Sequence, residues 1–243
     1  MRMSDFVFSQ PTFRMLMRYR RAYNELGQKW EKLMRELGVE TGFTSPYDLS
    51  HPKQEVIFLE LCRKYSERNR FYHIPYHLLH CLNELDSAKP LIQNATEVEF
   101  ALWFHDAIYD TKAKDNEEKA AELAYKSCKQ LQLPENFANN VSKLVLATKH
   151  NFIPEDLESK FIIDIDLSIF GQEEKIFDEY ERNIRKEYEW VEEKTFKTER
   201  AKILQRFLDK EHRKHIYLTD FFRKKYEEKA RNNLKRSIEK LTL

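Results

Sequence analysis

The stretch Phe100-Ala-Leu-Trp-Phe104 runs directly into His105-Asp106, and its reading decides the fold. Five apolar residues in a row cover every face of a helix, which marks a segment buried all round rather than an amphipathic surface helix. Thr96 stands three residues ahead of Glu99, a capping-box spacing that predicts where this helix begins. A helix C-terminus carries negative partial charge, so Asp106 is poorly placed there by itself. A carboxylate drawn out of water also needs a cation or strong donors. A bound cation would meet both needs.

Working outward, His73-Ile-Pro-Tyr-His77 sets two imidazoles four residues apart, about one helical turn. His80 lies three residues beyond His77 and competes with it for the same face. Downstream, Asp164-Ile-Asp166 sits inside the apolar run from Phe161 to Phe170. Either aspartate could cap the following helix, and one would suffice for that. A His, a His-Asp pair and a late Asp, each in apolar helix-like sequence, read together as one divalent-metal site. Imidazole and carboxylate donors suit Mn, Mg, Fe, Co, Ni or Zn without choosing among them.

The rest of the chain is read as helices. It has only four glycines and no run of alternating Val, Ile and Thr that would make a sheet. Tyr23 to Leu37 is predicted as a helix ended by Gly38, with a loop from Thr41 to Pro52. Helices are expected over Gln54–Tyr65 and from Pro75 to before Pro90, since proline fits a first turn. Further helices are expected over Asp115–Leu131 and Pro134–Lys149. After a loop at Pro154 come helices near Glu173–Val191, Lys197–Leu208 and Leu218–Leu241. One all-α domain over residues 23–243 is the expectation. The preceding extension, residues 1–22, is read as helical and carries no apolar stretch of a secretory leader.

Basic and acidic side chains nearly cancel, leaving a formal charge of +1, so binding to nucleic acid through global charge is not expected. No apolar run reaches the roughly 18 residues of a membrane span. Cys62, Cys81 and Cys128 form no CxxC pair and no disulfide framework, which points to a reduced, cytoplasmic compartment.

With these residues in view, the chain resembles the HD superfamily of metal-dependent phosphohydrolases, in which His77, His105-Asp106 and Asp166 stand in the family's order. It is most similar to a bacterial branch known as predicted metal-dependent HD phosphohydrolases. The shared segments are Arg70-Phe-Tyr-His73, Trp103 to Asp110, Asp115-Asn-Glu117, Ala147-Thr-Lys-His150, Asp164 to Gly171, Arg185 to Tyr188 and Ala230 to Asn233. The likeness covers roughly residues 23 to 241. It implies an all-α HD helical bundle that hydrolyses a phosphorylated small molecule, such as a nucleotide, with water activated by a divalent metal.

A more distant likeness, of Tyr72-His-Ile-Pro-Tyr-His77 and Asp166-Leu-Ser168 to cyclic nucleotide phosphodiesterases, assigns roles. By it His73 donates a proton, while His77, His105, Asp106 and Asp166 hold the ion. Ile74 departs from the asparagine usual in both groups. Glu117 or Glu118 is expected to orient the attacking water. Arg70, Lys149, His150 and Arg185 are expected to meet substrate phosphate, with His150 also a candidate second-metal ligand. Two other readings stand beside this one. The metal pocket could serve a ligand sensor without turnover, with the charged helix from Lys224 to Lys240 as partner surface. A di-iron oxygenase is disfavoured, because it needs two further histidines before the last aspartate and only His150 falls there.

Overall fold

Ten α-helices lie within the residues described by the computed structural model, 18–39 and 52–243, and no strand occurs among them. They are α1 (Arg20–Glu36), α2 (Lys53–Tyr65), α3 (Pro75–Ala88), α4 (Ala95–Phe104), α5 (Asn116–Gln130), α6 (Glu135–Ala147), α7 (Leu157–Asp166), α8 (Glu174–Glu187), α9 (Glu193–Leu208) and α10 (Asp220–Thr242). Short 3-10 turns cover Lys89–Leu91 and Leu167–Gly171. The all-α expectation holds. Most of the expected N-terminal extension and the predicted loop from Thr41 to Pro52 fall outside the described residues.

The chain divides into two compact units, one from Met1–Asn83 with Asn94–Leu146, the other from Glu84–Gln93 with Ala147–Leu243. In the first unit, α1 buries Ala22, Leu26, Trp30, Leu33 and Met34, the stripe that 3.6-residue periodicity produces. It starts three residues earlier than the periodicity suggests and stops as expected at Gly38. There the φ of +69° is open to glycine, and the amides of Gly38 and Val39 reach back to Arg35 O and Met34 O. That reciprocal pair satisfies carbonyls the helix end would otherwise orphan.

Trp30 meets Trp103 edge-on at 5.0 Å, and its N–H donates to Gln54 at 3.1 Å, so the indole is buried with its polar atom served. Residues Val98 to Phe104 of α4 are all buried. Phe100, Trp103 and Phe104 alone contribute about 1.5–3 kcal/mol each by leaving water. The predicted capping box does not form. Asn94 precedes α4 and makes no side-chain cap bond, Thr96 lies within the first turn, and Glu99 is buried. Burial begins only at Val98, one turn inside the helix.

In the second unit, Asp156 caps α7 by accepting from Ser159 N at 2.9 Å. Asp164 and Asp166 both fall in the last turn of α7, and Asp166 also precedes the 3-10 turn but makes no side-chain cap bond to it. Asp164 is fully buried, and its two oxygens accept from Leu218 N, Thr219 N and Thr219 Oγ1, each at 2.7 Å. It anchors the chain where it enters α10.

Burial pushes the Asp164 carboxyl up from 3.8 to about 6, with those three donors only partly offsetting it. A carboxyl raised by folding stabilises below its unfolded value and loses that contribution as pH rises through the folded value. At about 1.4 kcal/mol per tenfold change in proton affinity, stability should fall by about 2 kcal/mol between pH 4 and pH 7 through this group. Urea unfolding across that range should show the decline, and Asp164→Asn should flatten it.

Two further residues of this unit are explained by packing. Asn233, buried on α10, donates to Phe170 O at 2.9 Å and Gln172 O at 2.8 Å, tying α10 to the 3-10 turn. A methyl on Gly171 would overlap Tyr226 Cβ and stand 2.6 Å from Tyr226 Cγ, a near backbone-attached atom with nowhere to go. Gly171→Ala should therefore destabilise by about 1–3 kcal/mol, as overpacking does, read as a lower midpoint in denaturant.

Candidate metal centre

Pro75 opens α3, and Ile74 just before it offers its carbonyl to His77 N at 2.9 Å. Ile74 thus stands at the helix-capping place where asparagine would add a side-chain acceptor. His77 falls in the first turn of α3, and His73 lies on the loop before it. From the other side, α4 ends at Phe104, with His105 as its C-cap and Asp106 in the turn that follows.

These elements bring three donor atoms into a nearly equilateral triangle. His77 Nε2 and His105 Nε2 are 3.1 Å apart, and Asp106 Oδ2 is 3.2 Å from the first and 3.1 Å from the second. Both imidazoles are buried. His105 Nδ1 donates to Leu102 O at 2.7 Å, which orients the ring with Nε2 facing the triangle. Donors at right angles around an ion about 2.1 Å away stand about 3.0 Å apart, so the triangle fits one face of a six-coordinate site. Burial pushes the Asp106 carboxyl up, but the imidazoles of His105 and His73, with hydrogen bonds from His105 and His77, hold it well below the usual carboxylate range. The site carries a permanent anion.

Cys81, one turn beyond His77 on α3, joins His77 and His105 in a buried group able to hold a metal ion. Its Sγ is 3.8 Å from both ring nitrogens of His77. A sulfur equidistant from the two nitrogens lies on neither lone-pair axis, so Cys81 backs the imidazole while Asp106 closes the triangle. The i, i+4 spacing from His77 was the sequence signal for it.

Arg70 turns out to hold the site together. Only 1% exposed, it donates to Asp106 O at 2.5 Å, Ala107 O at 2.9 Å and Glu67 Oε2 at 2.9 Å, with a longer bond to His73 O at 3.4 Å. Its fork serves the carbonyls beyond α4 and the loop of His73 at once. The phosphate contact expected of Arg70 gives way to this positioning part, because its donors are already committed.

His73 stacks on Tyr109, centroids 4.0 Å apart and planes at 29°, with Tyr72 edge-on at 4.9 Å. Its Nε2 is 3.9 Å from Asp106 Oδ2, outside the triangle but beside it. The sequence reading gave Tyr109 no role, although it lies within the motif segment. The loop carrying it is closed by Asp110 and Asn116, which exchange bonds of 3.1 and 2.9 Å. Glu117 follows, half-buried in the first turn of α5.

In the second unit His150 pairs with Asp166, Nε2 to Oδ2 at 2.9 Å. His150 adopts φ +55°, a left-handed conformation that costs a non-glycine residue about 1 kcal/mol. That conformation ends α6 and accompanies the bond to Asp166. Lys149 lies in the same turn. Arg185 takes another part than the expected phosphate contact. It donates to Tyr188 O at 2.6 Å, Val191 O at 3.0 Å and Glu193 Oε2 at 2.8 Å, with its cation 4.7 Å from the Phe196 ring centre. It fastens the connection between α8 and α9.

Fold and site define an all-α protein with a buried imidazole, thiol and carboxylate group able to hold a metal ion. No protein-family model, curated protein or solved structure matches the chain. No helix among the described residues is long and apolar enough to cross a membrane, and the three cysteines are buried and free.

Proposed function

We propose that the chain is a metal-dependent phosphohydrolase acting on a phosphorylated small molecule. The observation that carries this reading is the triangle of His77, His105 and Asp106, with His73 beside it. The sequence likeness to HD phosphohydrolases supplies the reaction and assigns Asp166 as a further ligand.

A divalent ion held there supplies Lewis acidity to a phosphoryl oxygen and lowers the pKa of water. The chain's own residues do the rest. Asp106 keeps its negative charge through the neutral range and holds the cation. Leu102 O orients the His105 ring, and Arg70 holds the two loops in register. His73, steadied against Tyr109, stands where it can give a proton to the departing oxygen. Glu117 is proposed to orient the attacking water, and Lys149 and His150 to meet phosphate oxygens. Positioning and charge stabilisation of this kind are what phosphoryl transfer requires.

Metal analysis of the purified protein, followed by a screen of phosphorylated metabolites with Mn, Mg, Fe, Co, Ni and Zn, tests the proposal. Metal uptake with turnover of at least one phosphoester or phosphoanhydride is the expected result. Metal uptake with no turnover on the panel would favour the sensor reading instead.

A further inference from the structure

A concavity of about 680 Å³ opens in the first unit, lined by Arg63, Lys64, Glu67, Arg68, Asn69 and Tyr109. Three of those six side chains are cations. The single carboxylate, Glu67, is matched by the buried Arg70 at 2.9 Å, and Lys64 is 3.7 Å from Glu60. Arg63 and Arg68 are exposed and make no ion pair among the described residues. Arg63 and Lys64 stand in the last turn of α2, where a cation also offsets the helix terminus. Arg68 lies beyond the helix and has no such duty. The Arg70 guanidinium, paired with Glu67, stands 5.6 Å from the Tyr109 ring centre.

The wall that matters is Tyr109. One ring face stacks on His73 at 4.0 Å, and the same residue lines the concavity. Tyr109 therefore links the wall of the concavity to His73.

We infer that this basin binds the non-reacting phosphates of a substrate carrying more than one phosphate group. The inference deepens the proposed hydrolysis, and rests on it, by naming a diphosphate- or triphosphate-bearing small molecule as the substrate class. Guanidinium forks suit such groups because they can offer paired N–H donors to one phosphate.

The test is calorimetric titration of the full chain with inorganic tripolyphosphate and with inorganic phosphate, in chelator-treated buffer so that no metal competes for the probe. Wild type should bind tripolyphosphate at least about tenfold more tightly than phosphate. The double variant Arg63→Ala/Arg68→Ala should lose about tenfold of that affinity, the scale expected of charge-assisted hydrogen bonds at an open surface. Lys119→Ala/Lys126→Ala, which removes two exposed cations elsewhere on this unit, should bind as wild type does. Asp106→Ala should also retain tripolyphosphate binding, so loss of turnover there with binding intact separates failure of the metal chemistry from failure of the basin. Equal affinity of wild type for the two anions, or undiminished tripolyphosphate binding by the double arginine variant, would overturn the inference.

Discussion

Asp106→Ala is expected to abolish metal uptake and phosphatase turnover together while far-ultraviolet circular dichroism stays close to wild type. Asp106 supplies the only anion of the triangle, at 3.1–3.2 Å from both imidazole nitrogens. Even residues that only support metal ligands cost about 10–100-fold in affinity when removed, so a direct carboxylate should cost more. The backbone should survive, because Arg70 bonds to the carbonyl of Asp106 and not to its side chain. Metal content by mass spectrometry and turnover at saturating Mn or Co are the measurements. Wild-type values of both would end the mechanism. Loss of helical signal would instead make the ion a structural one whose binding supplies folding energy.

His73→Asn should lower turnover by about 10²–10⁴-fold on substrates with poor leaving groups and leave metal content unchanged. Both parts follow from its position. Its Nε2 is 3.9 Å from Asp106 Oδ2, close enough to share the site and outside the donor triangle. The stack on Tyr109 and the edge of Tyr72 hold the ring whether or not residue 74 carries a hydrogen-bonding side chain. A proton donor matters most when the departing oxygen is basic, so the loss should shrink to about tenfold or less with a nitrophenyl ester. Equal losses on alkyl and nitrophenyl phosphates, or loss of the ion, would move His73 to scaffold or ligand.

Helical class and the order of the helices were legible because they depend on local pattern. The all-round apolar run of Phe100–Phe104 marked a buried helix, and Gly38 and Pro75 marked a stop and a start. The capping box at Thr96 was misleading, since the helix starts one residue earlier, after Asn94, and Glu99 is buried rather than reaching back to its start. The segment Leu157–Asp166 was the harder case. Its apolar residues run together without a helical stripe, and either Asp164 or Asp166 could have been the cap with the other a ligand.

The chain by itself determined which residues could carry chemistry: His73, His77 and the His105-Asp106 pair are recognisable by residue type and spacing alone. Tertiary structure decided what each of them touches. Arg70 looks in sequence like a surface cation awaiting phosphate, yet it is buried and bonded to carbonyls 36 and 37 residues away. Asp164 and Asp166 are two residues apart in one helical turn, and only contacts more than fifty residues distant, to Leu218 and Thr219, make the first an anchor. Tyr109 gains its place from a ring stacked across two loops. Periodicity and capping are set by neighbours in sequence, so one chain reveals them. A donor's availability depends on which distant carbonyl or carboxylate reaches it first, and that is settled only by packing.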